Sequence, residues 1–239
     1  MKIAIIGYGK MGQLIEQIAI ERGHEVACII DNNSQDRFQS EEFTSSDVAI
    51  EFSVPHSAVE NIKRSWSRGV KVVCGTTGWN NQLPSLVDYL KANDKTMFWS
   101  SNFSLGVNLF FELNRRMAEL MSRFPNYDVS IEETHHIHKK DAPSGTAITL
   151  AERIVEGCQG KKQGWILYPE RQVDKISIEV IREGEVFGIH TAKYESDEDF
   201  ISFTHEAKSR RGFALGAVLA AEFIKDKQGF FTMKDMLNF

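Results

Sequence analysis

Apolar and polar positions along the first hundred residues alternate between two rhythms. KIAIIG (2–7), EVACIID (25–31), DVAIEFS (47–53), VKVVCG (70–75) and TMFWSS (96–101) are short, nearly unbroken apolar runs, the pattern of strands buried on both faces. Between them, KMGQLIEQIAIERG, PHSAVENIKRSWSRG and QLPSLVDYLKAND read as helices, and the first two close on Gly23 and Gly69, residues suited to a helix C-terminus. Strand and helix in repeated alternation predict an α/β domain, a Rossmann-like doubly wound parallel sheet.

The rhythm changes after Ser101. VNLFFELNRRMAELMSRFP predicts one long helix and YDVSIEETHH a strand. Ala147, Leu150, Ala151, Ile154 and Val155 follow i, i+3, i+4, i+7, i+8, so an amphipathic helix starts at Ser144-Gly145-Thr146 and ends at Gly157. From 174 to 207, strands broken by turns near REGE (182–185) and SDED (196–199) read as a meander. That predicts a second, α+β domain with a mixed or antiparallel sheet. The closing RGFALGAVLAAEFIKDK is an apolar helix suited to return and cover the first sheet.

Composition narrows the class. The chain has 239 residues, 42% hydrophobic and 26% charged, ordinary for a globular protein. Its apolar runs fall far short of the roughly 20 residues that span a bilayer, and MKIAIIG does not resemble a cleaved leader, so a cytoplasmic protein with no membrane partner is expected. With 28 Lys+Arg against 33 Asp+Glu, the net charge of -5 argues against a nucleic-acid partner. Cys28, Cys74 and Cys158 are widely spaced and outside any CxxC pattern, which supports neither a disulfide framework nor a thiolate metal site.

Two regions carry candidate chemistry. IAIIGYGKMGQLI sets Gly7, Gly9 and Gly12 in G-x-G-x-x-G between a strand and a helix, where backbone N–H groups can meet a pyrophosphate. Asp31, closing the second strand, is placed to accept from the adenosine ribose hydroxyls, and its charge favours NADH over NADPH. GTTG (75–78) and SSNFS (100–104) also close strands of this sheet, as either ligand contacts or plain turns.

EETHHIHKKDAPSGTA (132–147) is the second region. His135, His136 and His138 lack the i, i+4 spacing of a helical zinc site; on an extended strand His136 and His138 share a face while His135 points away. Lys139 and Lys140 would oppose a dication, so no metal is expected. An anion pocket explains more: the helix start at Ser144-Gly145-Thr146 offers donors to a carboxylate, Lys139 offers charge and a proton, and a histidine can act as acid, base or donor. Together with a nicotinamide cofactor, that suggests reduction of a small polycarboxylate.

H-H-x-H-K-x-D-A-P-S-G-T-A, with G-x-G-x-M-G at the start, GTTG and NFSLGVN between, and GIHTA and HEAKSRRGFALGAV later, resembles the 4-hydroxy-tetrahydrodipicolinate reductase (dihydrodipicolinate reductase) family from end to end. The resemblance implies NAD(P)H-dependent reduction of a cyclic dicarboxylate in the diaminopimelate route to lysine. It implies a dinucleotide-binding domain of residues 1–104 and 208–239, a substrate-binding and tetramerisation domain of 105–207, and a homotetramer. By motif, His135 takes the acid/base position, Lys139 the proton-donor position, His136 a substrate contact, and Gly145 with Thr146 the carboxylate cradle. Gly7, Tyr8, Gly9, Lys10, Met11, Gly12, Asp31, Gly75, Thr76, Thr77, Ser100, Ser101, Asn102 and Phe103 match cofactor contacts. His138 and Lys140 inherit no role, and Asp141 is expected to orient the loop. The glycine loop is one residue shorter than the form common in the family, which bears on cofactor grip. A redox sensor of the same fold without turnover is the alternative reading.

Overall fold

The computed structural model describes all residues, 1–239. In chain order the elements are β1 (Lys2–Ile6), α1 (Lys10–Glu21), β2 (Glu25–Ile30), α2 (Glu41–Thr44), β3 (Val48–Glu51), α3 (Pro55–Ser67), β4 (Lys71–Cys74), α4 (Leu83–Ala92), β5 (Thr96–Trp99) and α5 (Leu105–Met121). They continue as β6 (Asp128–His135), α6 (Gly145–Gly157), β7 (Trp165–Leu167), β8 (Ile176–Arg182), β9 (Ile189–Glu195), β10 (Phe200–Glu206), α7 (Arg211–Ile224), β11 (Gly229–Phe231) and α8 (Met233–Leu237). Two compact units result, Met1–Leu105 with Arg211–Phe239, and Gly106–Arg210. No helix is long and apolar enough to cross a membrane.

The first unit holds a six-stranded parallel sheet in the order β11-β5-β4-β3-β1-β2. Its strands read as unbroken apolar runs because alternate residues serve opposite layers. Ile3, Ile5, Val48, Ile50, Val73 and Phe98 pack under Ile15 and Ile18 of α1 and Ala214, Ala217, Val218 and Ala221 of α7. Their neighbours Ala4, Ile6 and Ala49 face Phe38 and Phe43, while Val72, Cys74 and Met97 face Ile62 and Trp66 of α3 and Leu86 of α4. Strand order reverses between β1 and β3, so the carboxyl ends of these strands form the crevice in which such sheets take ligands. Gly23 and Gly69 follow their helices with φ of +80° and +79°, the left-handed conformation a helix end requires.

The second unit holds a five-stranded mixed sheet, β10-β9-β6-β8-β7. β6 pairs parallel with β8 and antiparallel with β9, and lies between them. The expected meander through 174–207 is therefore corrected: only β9 and β10 form a hairpin, since a strand from earlier in the chain separates β8 from β9. Spacing of turns reveals strands but not which strand inserts between them. The core lies on one face, where Val129, Ile131, Ile176, Ile178, Ala192 and Tyr194 meet α5 and α6. Gly157 closes α6 because a Cβ there would come within 2.2 Å of the Arg115 carbonyl oxygen, so the glycine permits the α5–α6 crossing.

Candidate active site

At the carboxyl end of the first sheet, three glycines do three different jobs. Gly7 (φ +90°) turns the chain after β1, and a Cβ on it would strike the Phe52 carbonyl oxygen at 2.3 Å. A Cβ on Gly12 would strike the Gly7 carbonyl oxygen at 2.2 Å, so this glycine lets α1 press onto its own strand. Around Gly9 there is nothing within 4 Å, and as N-cap of α1 it brings no side-chain acceptor. This open, uncapped helix start is a cradle that fits a pyrophosphate. Lys10 is exposed beside it, Met11 is half-buried, and the Tyr8 hydroxyl bonds Glu16.

The other expected cofactor residues surround the same strand ends. Asp31 is exposed after β2, where its carboxylate accepts the Asn32 N–H at 2.8 Å. Gly75 leaves room for the Phe52 ring, which a Cβ would meet at 2.1 Å. The Thr76 hydroxyl is engaged by the Ser53 N–H at 2.8 Å, while Thr77 is exposed. Ser100 donates to the Asn102 carbonyl at 2.7 Å, the Asn102 side chain accepts the Ser104 N–H at 2.9 Å, and Ser101 is exposed. Phe103 differs in kind: its ring sits in the core against Phe52 and Phe98, leaving only its backbone for a ligand.

The second site forms where the core face of the other sheet turns polar. Along β6 the buried series Val129, Ile131 continues as Glu133 and His135; along β9, Tyr194 and Ala192 lead back to His190; along β8, Ile176, Ile178 and Val180 lead to Arg182. Register sets Glu133 opposite His190 and His135 opposite Arg182, so a two-residue alternation on three strands gathers these side chains in one place. The Glu133 carboxylate accepts from the Ser144 N–H at 2.9 Å and from Arg182 at 3.1 Å. Its other oxygen stands 3.1 Å from His135 Nδ1 and 3.7 Å from His190 Nε2. Burial opposes its charge, but the His135 ring beside it and the donors Ser144 N–H and Arg182 outweigh that and hold its carboxyl down at about 2. Burial, reinforced by the neighbouring His135, pushes His190 down to about 3 and keeps it neutral.

β6 ends at His135, one residue short of the strand expected over 127–136, so the shared face that an extended strand would give His136 and His138 does not arise. His136 and His138 lie in the loop that follows, their ring centroids 6.0 Å apart, with His138 exposed near Glu185. Lys139 donates to both carboxylate oxygens of Asp141 at 2.8 Å, and Lys140 is exposed. Ser144 caps α6 by accepting the Ala147 N–H at 3.1 Å, and Gly145 and Thr146 form the helix start, exposed and half-buried. Glu133, His135 and His190 bring ligand atoms within 4.8 Å of one another, a spacing that admits a metal ion. The neighbouring Arg182 cation already balances the carboxylate, so the residues serve equally as a charge and proton network.

Family models described as "Dihydrodipicolinate reductase, N-terminus" and "Dihydrodipicolinate reductase, C-terminus" match residues 1–103 and 106–237. A 4-hydroxy-tetrahydrodipicolinate reductase of Christiangramia forsetii is 48% identical over 238 residues, covering 100% of this chain and 98% of the relative. The chain belongs to the dihydrodipicolinate reductase family. A namesake from Methanocaldococcus jannaschii is 36% identical, over 82% of this chain and 72% of its own length. Among solved structures, a dipicolinate-bound dihydrodipicolinate reductase from Paenisporosarcina sp. TG-14 superposes with a TM-score of 0.76 at 24% identity over 97% of each chain, a likeness of fold. As a member of this family the chain is a nicotinamide-dependent oxidoreductase.

Several residues of the candidate site are not announced by the sequence. Glu133 was readable in principle, since the alternation that buries Val129 and Ile131 also buries Glu133 and His135. Arg182 and His190 were not, because only strand register brings them near. In the first sheet, Glu51 is wholly buried at the end of β3 and accepts from Cys74 Sγ at 3.2 Å and the Ser53 N–H at 3.2 Å. It ties the ends of β3 and β4 together beneath the crevice.

Proposed function

We propose that the chain reduces 4-hydroxy-tetrahydrodipicolinate to tetrahydrodipicolinate in the diaminopimelate route, with His135 and Lys139 handling the proton. The observation that carries this reading is the convergence at the end of β6: a buried histidine beside an anchored carboxylate, a lysine held by Asp141, and the α6 N-terminus. The Gly145 N–H and Thr146 hydroxyl, with the helix dipole behind them, suit one substrate carboxylate; His136 suits the other end of the ring. Lys139 supplies a cation and a transferable proton, and Asp141 aims it. His135 either delivers a proton or stabilises developing charge.

The open Gly9 cradle fits a dinucleotide, held along Gly7 to Gly12 and by Asp31, with backbone from 75–77 and 100–103 toward its other end. Bound nicotinamide supplies the hydride. NADH is the preferred form, with NADPH also accepted. A homotetramer in the cytoplasm completes the reading: edge strand β10 leaves Phe200 and Ile201 exposed, apolar surface suited to another copy.

The test follows NADH oxidation at the nicotinamide absorbance, with substrate generated in situ, with and without chelator. Turnover that survives exhaustive chelation is expected. NADH binding without turnover would favour the sensor, and activity lost with a stoichiometric metal would favour a metalloenzyme.

A further inference from the structure

Glu133 is wholly buried beside His135, and no role of its own has been assigned to it. A carboxylate in that position needs partners, and one of its oxygens is fully supplied while the other is not. One is fixed by the Ser144 N–H at 2.9 Å and by Arg182 at 3.1 Å; Arg182 also donates to the Asp141 carbonyl at 2.7 Å, so the same guanidinium pins the loop that carries Lys139. The other oxygen faces His135 Nδ1 at 3.1 Å, with the ring turned off the direct line, so that neither atom has a well-aligned hydrogen-bond partner. Two unsatisfied polar atoms at that distance, one an anion and one a ring nitrogen, are a pair that a proton or a small rotation completes.

The opposite nitrogen is kept clear. A Cβ on Gly188 would come within 2.9 Å of His135 Nε2, and this residue is glycine with φ +148°. Nδ1 is therefore the end of the ring that faces the carboxylate and Nε2 the end for which the backbone makes room.

We propose that Glu133 is the positioning residue for His135: its carboxylate holds the proton on Nδ1, balances the imidazolium when the ring is protonated, and leaves Nε2 to exchange a proton with the substrate. This rests on the reading that His135 handles the proton. The charged and titratable groups facing the pair are Arg182 from β8, His190 from β9, Lys139 and Asp141 from the loop, and His205 of β10 behind His190. Arg182 tempers the negative charge, and His190, neutral in its buried place, adds none. Glu133 stays ionised throughout the working range.

The test is a cycle of Glu133→Gln, His135→Gln and the double variant, read by kcat, NADH KM and the pH profile of kcat/KM. Glutamine keeps the shape and can still accept from Ser144 and Arg182, but carries no charge. Glu133→Gln is expected to lower kcat about 10–100-fold, the usual effect of removing an outer partner of a functional histidine. NADH KM should stay within twofold, and the pH profile of kcat/KM should move, because the charge facing the His135 ring is gone. In the His135→Gln background the Glu133 substitution should add nothing, whereas a merely structural carboxylate would cost the same again. Near-normal turnover in His135→Gln would sink the parent reading. A slow His135→Gln beside a Glu133→Gln with additive losses and an unmoved profile would overturn this proposal alone. Should Glu133→Gln fail to fold, nitrogen NMR of the wild-type histidines decides: the neutral His135 ring is expected with its proton on Nδ1, and a proton on Nε2 overturns the assignment.

Discussion

The polar ends of the two sheets are built by opposite means. At the first, the ligand-facing surface is backbone: Gly7 and Gly12 exist to bring chain against chain, and Gly9 to leave a gap. At the second, it is side chain: Glu133, His135, Arg182 and His190 come from three strands and are aligned by register. A backbone site is local in sequence, tolerates no added atoms, and serves a ligand common to many enzymes. A side-chain site is distributed and tolerates small changes of shape, but it fails when a charge is removed.

The largest expected effect breaks the second site. His135→Gln and Lys139→Ala should each lower turnover by about 10²–10⁴-fold, the usual contribution of a positioned acid or base. NADH binding, measured by fluorescence titration, should be nearly unchanged, since both residues belong to the second unit. Normal kcat in either variant would remove it from the mechanism.

Next in size is a contrast between two glycines. In Gly12→Ala the new methyl meets the Gly7 carbonyl oxygen, so α1 must shift, with a stability loss of about 1–3 kcal/mol and weaker NADH binding. In Gly9→Ala the methyl meets no protein atom, so the urea midpoint should hold while NADH affinity falls. Unaltered NADH affinity in Gly9→Ala would deny that this gap seats the cofactor.

The same contrast explains what the sequence could reveal. Five of the six strands of the first sheet and its crevice are legible because each strand, turn glycine and helix lies within a short stretch, and two-sided burial writes itself as unbroken apolar runs, whereas the three-residue edge strand β11 is too short to write any pattern. In the second unit, the amphipathic pattern from Ala147 located α6 and its Ser144 start. Strand order was hidden: nothing in 174–207 records that β6 inserts between β8 and β9. For that reason the sequence does not announce Arg182 and His190 as neighbours of His135, and the loop-orienting place expected for Asp141 takes the form of a direct hold on Lys139. The histidine run drew attention to its own length, while the decisive partner, Glu133, sat two residues upstream within the apolar alternation.

A smaller, stability-based effect follows from the two buried groups. His190 titrates near 6.5 when unfolded but at about 3 when folded, so the unfolded chain binds more protons between these values. Its contribution is complete above about pH 6.5 and is lost as pH falls toward 3, by at most about 1.4 kcal/mol per pH unit. Glu133, held at about 2, adds a loss of the same sign that begins only below its ordinary value of 4.5. Urea midpoints should therefore decline from pH 6.5 downward, and His190→Gln should flatten the slope between 6.5 and 4.5 whatever its absolute stability. An unchanged slope in that variant would place the acid sensitivity elsewhere.

The smallest expected effect is cofactor preference, which sharpens the account of the backbone site because there a side chain decides. Asp31 lies exposed at the end of β2, where a carboxylate bonds ribose hydroxyls and repels a 2′-phosphate. Two basic side chains bear on that phosphate, Lys10 at the start of α1 and Arg37 beyond the turn. Arg37 is committed elsewhere: its guanidinium donates to the Ile29 carbonyl at 2.9 Å and is half-buried there. Lys10 is exposed, and an exposed pair contributes only about 0–1 kcal/mol. Repulsion by Asp31 and attraction by Lys10 are thus of similar order, and the commitment of Arg37 tips the balance. We expect kcat/KM to favour NADH over NADPH by several-fold to about tenfold at fixed salt, each tenfold being about 1.4 kcal/mol. Asp31→Ala should close the gap mainly by improving NADPH, and raising ionic strength should narrow it in the wild type. A clear NADPH preference in the wild type would mean that Arg37 leaves Ile29 when the phosphate arrives, and Arg37→Ala would then abolish that preference.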